Sequence, residues 1–304
     1  MYRLSTILIA FAMLTQAVAT HCLADDLPFG TLSNAAINES SGIAVGHKNP
    51  KAFFTHNDGS EAILYAFDAK GNNLGAFTLT TKARDVEDIG SFVSRGKNWI
   101  FMADTGDNKK KRDSYEIFFF EEPSTVQTRK KNTGVNRIAN VKVMRFVYED
   151  GSHNCEAVAM DPASGMIYLV EKNDGESCRI YEMPSPFSKN APAGAGTVTA
   201  RAIAVVDLKT ATGMDISADG MRAIICTYNE AYEFSRSDAG ETWKDAFTRK
   251  PEVISLPGRK QGEAICYDAS GDNCWLTSEN EDSNEPCPLF KVSLAAQRIK
   301  SKGQ

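Results

Sequence analysis

The chain has 304 residues, a formal net charge of −5 and an apolar content of 42%. That length suits one large domain or two ordinary ones, and the apolar content excludes a disordered chain. The mildly acidic balance gives no support for a nucleic-acid-binding surface, so no nucleic-acid partner is expected.

Arg3 precedes a mostly apolar run from Leu4 to Leu14, and small residues follow at Ala17-Val18-Ala19 and Cys22-Leu23-Ala24. This is the pattern of a secretory signal peptide cleaved after Ala19 or Ala24. A membrane anchor would need roughly 20 apolar residues, a length that no later stretch reaches, so no membrane span is expected. Residues 1–24 are therefore read as a signal peptide and residues 25–304 as a single domain, secreted or periplasmic. Beyond Ala24 six cysteines remain, Cys155, Cys178, Cys226, Cys266, Cys274 and Cys287. An even number in an exported chain predicts structural disulfides, with fifteen pairings open.

A repeat organises the rest of the chain. "SSGIAV" (40–45), "VEDIGS" (86–91), "CEAVAM" (155–160), "GMDISA" (213–218) and "GEAICY" (262–267) align without gaps. Each is followed, after a turn, by a second strand-like run: 51–58, 98–108, 166–174, 222–230 and 273–281. A third run follows at 62–71, 114–123, 178–186, 230–240 and 288–294. Aromatic and β-branched residues fill these runs, with Gly, Asn, Asp and Pro between them. A fourth run at 74–80, 140–148, 201–208 and 251–257 completes every copy except the last, for which "LPFGTLS" (27–33) is available.

This pattern predicts an all-β fold, a β-propeller of five four-stranded blades closed by the N-terminal strand, which removes an exposed sheet edge. Six blades remain an alternative if residues 123–140, read here as a polar excursion, contain further strands. "RSDAGETW" (236–243) resembles the Asp-box, a structural turn of sialidase-type propellers, with Arg236 in place of the usual Ser or Thr. It falls between the third and fourth strands of blade four, where that turn belongs. "KKKR" (109–112) reads as a solvated loop.

The propeller places first-strand heads and second-strand ends on one face, around the mouth of a central channel. The first set carries Glu39, then Asp85, Glu87 and Asp88, then Glu156, Asp215 and Glu263. The second carries His56, Asn57 and Asp58, then Asp104, Asp107 and Asn108, then Glu171 and Lys172, then Tyr228, then Glu279 and Asn280. A ring of hard oxygen ligands without clustered Cys or His suits calcium or magnesium. Glu39, Glu87, Asp88, Glu156, Asp215 and Glu263 are the expected metal ligands, with Asp104 and Glu279 outside them, and calcium is the expected ion. Each acid could equally cap a turn or accept backbone N–H groups. His56 and Asp58, in "THNDG", are the candidate general acid–base pair. No GxSxG, HExxH or P-loop is present.

The segments "ESSGIA", "THNDG", "DVEDIG", "ADTGDN", "EAVAMD", "GMDISADG" and "QGEAICYD" resemble a family of exported bacterial propellers. More distantly they are similar to the SdiA-regulated and phytase-like or esterase-like propellers. The phytase-like resemblance implies calcium at the channel mouth and phosphate ester hydrolysis there. The expectation is an exported monomer whose acidic mouth binds a divalent cation and hydrolyses an ester or phosphoester. The alternatives are a non-enzymatic scaffold for a glycan, peptide or surface protein, and a glycosidase using two carboxylates. In each case a small-molecule or surface ligand meets the mouth.

Overall fold

A computed structural model describes residues 27–125, 136–191, 194, 196–280, 285–295 and 297. The leader lies outside the described residues, as does most of the polar excursion. After a two-residue strand β1 (Gly30–Thr31), the chain forms antiparallel meanders. The first contains β2 (Ser40–Val45), β3 (Ala52–Asn57), β4 (Ile63–Asp68) and β5 (Asn73–Leu79). The second contains β6 (Val86–Ser94), β7 (Lys97–Asp104) and β8 (Tyr115–Glu121), then, after the short β9 (Asn136–Ile138), β10 (Lys142–Tyr148). The third is β11 (Cys155–Met160), β12 (Met166–Glu171), β13 (Cys178–Pro184) and β14 (Val198–Val206). The fourth is β15 (Gly213–Ile216), β16 (Arg222–Cys226), β17 (Glu230–Ser235) and, after the short helix α1 (Trp243–Ala246), β18 (Glu252–Ser255). The last is β19 (Gln261–Tyr267), β20 (Asn273–Glu279) and β21 (Pro288–Ser293).

β1 supplies the fourth strand of that last meander, Gly30 opposite Leu289 and Thr31 opposite Pro288. The first strands touch in a closed cycle: β2 on β6, β6 on β11, β11 on β15, β15 on β19, and β19 on β2. The fold is all-β and propeller-like. Two outer pairings were not foreseen. β10 and β14 pair in parallel through Phe146–Tyr148 and Val198–Ala200, fusing the second and third meanders into one eight-stranded sheet. β9, read from sequence as part of the polar excursion, adds in parallel to the outer edge of β5.

The core lies between the meanders, and strand periodicity puts it there. Successive residues of β7 face opposite sides: Ile100 and Met102, with Ile89 of β6, pack toward Ala44 and Phe54 of the first meander. Trp99, Phe101 and Ala103 pack toward the third with Val158, Leu169 and Tyr181. A strand buried on both faces reads as a continuous apolar run, which is what "WIFMA" shows. The fully buried Phe and Tyr side chains each contribute roughly 1.5–3 kcal/mol by burial. The Asp-box-like turn sits between β17 and β18: Asp238 Oδ1 accepts the Gly240 N–H at 2.7 Å, and Trp243 is buried. Arg236 lies 4.3 Å over the Trp243 ring and pairs with Asp161 at 3.1 Å, tying the fourth meander to the third.

The expected disulfides are not formed: Cys155, Cys178, Cys226, Cys266, Cys274 and Cys287 are free and buried. Cys155 belongs to the cluster between the second and third meanders and Cys178 to the next one along. Cys266 and Cys274, on neighbouring strands, face opposite sides of the last sheet; Cys266 shares a cluster with Cys287 and Cys274 with Cys226, in both cases as unbonded thiols. They behave as small apolar fillers, with weak contacts such as Cys287 Sγ to Ile37 O at 3.4 Å.

Candidate functional site: a carboxylate cluster at one end of the strand ring

Four of the inner strands carry a break in register close to their heads. It falls between Ser40 and Gly42, between Val86 and Asp88, between Cys155 and Ala157, and between Gln261 and Ala264. A bulge inserts a residue that opposes nothing on the partner strand and re-aims its side chain. The residues inside these breaks include Ser41, Glu87, Glu156 and Glu263, so the bulges turn three glutamates and a serine toward one end of the ring. Ser41 Oγ spans the gap, donating to Glu87 O at 3.1 Å and reaching Glu263 Oε2 at 3.4 Å.

Around them stand Asp58 and Asp85, whose carboxylates come within 4.8 Å of Glu87 to form a compact triad. Glu279 is hydrogen-bonded to Glu263 and feels Asp58 and Glu39, so seven acids, Glu39, Asp58, Asp85, Glu87, Glu156, Glu263 and Glu279, share one field. Gly106 makes the triad possible. A Cβ there would stand 2.1 Å from Glu87 Oε1 and 2.4 Å from Asp85 Oδ2.

The Lys172 ammonium joins these acids, pairing with Glu156 and lying 3.8 Å from Glu263 Oε1, and the Arg112 guanidinium, paired with Asp104, acts on Asp85. Asn154 supports Glu156 by a 3.1 Å hydrogen bond and accepts the Asp107 N–H at 2.6 Å, linking two loops. Gln261 donates to Glu279.

Burial and mutual repulsion hold several of these groups protonated. Burial first, then Asp85 and Glu263, raises Asp58 to about 6. Burial raises Glu156 to about 7 even though Lys172 opposes it. Burial and Glu263 raise Glu279 to about 9. Glu87, only 2% exposed, is pushed well above the carboxylate range by burial and then by Glu156, Asp58, Asp85 and Glu263. No described residue donates a hydrogen bond to its carboxylate.

Of the residues singled out from sequence, Glu39, Asp58, Glu87, Glu156, Glu263 and Glu279 come together. Asp88 and Asp215 stand apart from them. Asp88 accepts the N–H of Ile89 at 2.8 Å and, from the next two inner strands, those of Val158 at 2.8 Å and Met214 at 3.3 Å. Asp215 accepts Ile216 N–H and Tyr267 N–H, both at 2.8 Å. These two acids join neighbouring strands of the ring. Asp104 accepts the N–H groups of Arg84 and Asp85 and pairs with Arg112 at 2.8 Å, which positions Asp85.

His56 is also separate. It lies over Gly42 against Ile89, between the first two meanders, fully buried. Its Nδ1 donates to Asn57 O at 2.8 Å, its Nε2 has no partner, and burial lowers it to about 4. It is a neutral core imidazole at ordinary pH. Gly106 and Asn154 went unnoticed in the sequence, although Gly106 stands in "DTGDN" between two strand-end acids.

No family model matches the chain, and no curated protein matches it in sequence. Among solved structures it is similar to Kuenenia stuttgartiensis hydrazine synthase at 12% identity and a TM-score of 0.42, over 84% of this chain and 72% of that one. It is also similar to the RRP9 WD40 repeats at 9% identity and a TM-score of 0.42, over 83% of this chain and 78% of that one.

Proposed function

We propose that the chain is an exported five-bladed propeller whose acidic mouth binds a divalent cation, calcium, at Asp58, Asp85 and Glu87. The carrying observation is Glu87, a buried carboxylate that faces other carboxylates and has no donor among the described residues. A charge in that position needs a counter-charge or a proton. The donors are oxygens throughout, the set that hard cations prefer, and Gly106 leaves them room to converge. The leader pattern in residues 1–24 supports export.

A calcium ion bound there would polarise an ester or phosphoester oxygen and lower the pKa of the water that attacks it. The chain's own residues would serve the leaving group. Glu279, keeping its proton to about 9, is a carboxylic acid at neutral pH and can donate to a leaving oxygen. Lys172 holds Glu156 in place. The burial of His56 favours a second reading, a scaffold whose ion anchors an acidic group of a glycan, peptide or surface protein, because of the two expected proton carriers only Asp58 stands among the acids, and there it is placed as a ligand.

Thermal unfolding of the purified protein tests the shared premise. Calcium at 100 times its Kd adds about 2.7 kcal/mol, or roughly 5–10 °C in Tm for a domain of this size. Absence of any shift at millimolar calcium would sink the cation reading. Turnover of an ester, phosphoester and glycoside panel would then separate enzyme from scaffold.

A further inference from the structure

The ring has a second end. Away from the acids, the tails of all five inner strands enclose a cavity of about 320 Å³, formed by residues 43–45 of β2, 90–93 of β6, 160 of β11, 215–216 of β15 and 266–267 of β19. That volume falls in the range of small-molecule sites. Each of these strands is an end member of its sheet, so its inner edge has no strand partner. Side chains take over part of that edge: Ser91 Oγ donates to Val45 O at 2.6 Å, and Asp215 accepts the Ile216 and Tyr267 N–H groups at 2.8 Å.

The wall is mostly apolar, with Val45, Phe92, Met160 and Ile216 among its residues, and its charge is one-sided. Asp215 and Asp268 line it, and among the described residues no lysine or arginine does. Asp268 turns both carboxylate oxygens to its own loop, accepting from Ser270 and Asn273. Asp215 accepts one N–H on each oxygen and forms no ion pair among the described residues. A carboxylate can take about four donors, so acceptor positions stay open on both oxygens. His47, a further wall residue, has a buried Nε2 without a partner among the described residues, a second polar group there that lacks a counterpart.

We propose that this cavity binds a small organic amine, its ammonium on Asp215 and its alkyl or aryl body against the apolar wall. An ammonium brings both the charge and the N–H donors that Asp215 lacks, and charge-assisted hydrogen bonds are the strong ones. A carboxylate or phosphate ligand would meet two acids with no basic group to offset them. A sugar would bury hydroxyls against apolar side chains. The site lies apart from the carboxylate mouth and stands whether or not calcium binds there.

Calorimetric titration of the purified protein with phenethylamine, and with phenylethanol as its uncharged counterpart, reads the site. Phenethylamine should bind at millimolar concentration or below, and the alcohol at least about 10-fold more weakly, the worth of a hydrogen bond to a charged group. Asp215→Asn should bring the two ligands within about twofold of each other. Ala218 is an exposed residue on the cavity rim. Ala218→Trp should weaken both ligands by at least about 10-fold by occluding the entrance, and it reads the site even if the Asp215 variant does not fold. Equal binding of amine and alcohol, an amine affinity unchanged in either variant, or no amine binding at millimolar concentration would overturn the inference.

Discussion

Glu87→Gln exchanges a carboxylate for an amide of the same shape at the point where the acids press hardest on one another. Glu87 is 2% exposed, is repelled by Glu156, Asp58, Asp85 and Glu263, and has no donor among the described residues. A buried polar group left unsatisfied costs roughly 1–3 kcal/mol, more when charged. The amide is neutral without having to take up a proton on folding, as a carboxyl pushed well above its ordinary range must, and it supplies two N–H donors to the surrounding acids. Cation-free Glu87→Gln should therefore be more stable than the wild type at pH 8 by about 1–3 kcal/mol, a rise in Tm of roughly 2–10 °C. The same variant should lose the calcium-dependent rise. Differential scanning fluorimetry with and without calcium gives all four melting temperatures, and the two curves should cross: variant above wild type without the ion, below it with saturating ion. A variant that melts lower without calcium, or keeps its calcium shift, would refute the reasoning.

Calcium affinity should fall on acidification, because Asp58 must lose its proton to bind. With Asp58 at about 6, its share between pH 7 and pH 5 is about 10-fold, trimmed by screening at the exposed rim and reinforced by Glu87; a Kd constant within twofold would count against the site. Gly106→Ala should leave the stability of the cation-free protein within about 1 kcal/mol, because the atoms its Cβ meets belong to the carboxylate ends of side chains rather than to backbone. It should nonetheless weaken calcium by at least about 10-fold, read by calorimetry. His56 contributes acid sensitivity of opposite sign to the raised acids. Its pKa is about 4 in the folded chain against 6.5 unfolded, so the unfolded chain takes up the proton first and stability drains as pH falls from 6.5 to 4. The loss reaches about 3 kcal/mol. Urea unfolding of His56→Phe across that range should show a slope shallower by one proton; an unchanged slope would rule out His56 as the source.

Most of the strand plan was legible because strands buried on both faces leave long runs of β-branched and aromatic residues between turn residues. The predicted run 40–45 is β2 and 155–160 is β11, residue for residue. The N-terminal segment was assigned to the last meander because that copy lacked a fourth strand, and Gly30–Thr31 pair there. The pairing of β10 with β14 was hidden, since outer-strand contacts between meanders follow no repeat. At the site, acid content was legible and acid direction was not. In the ungapped repeat alignment Glu87, Glu156 and Glu263 share one column with Ser41, while Asp88 and Asp215 share the next with Gly42. Pooling the two columns merged groups that the bulges turn outward with groups that bond neighbouring strands. Column position, which the sequence does contain, would have separated them. His56 was misplaced for a related reason: it sits opposite Gly42, whose missing side chain lets the imidazole settle between sheets.

The seam between Gly30–Thr31 and Pro288–Leu289 has a consequence for how the molecule comes into being. The strand made first completes the sheet made last, so the ring stays open until nearly the whole chain has left the ribosome. At roughly 5–20 residues per second, that interval is of the order of 15–60 s, during which the chain can be handed on unclosed. Closure then occurs as one long-range event joining opposite ends of the sequence. A fold that cannot shut early is a fold that stays threadable.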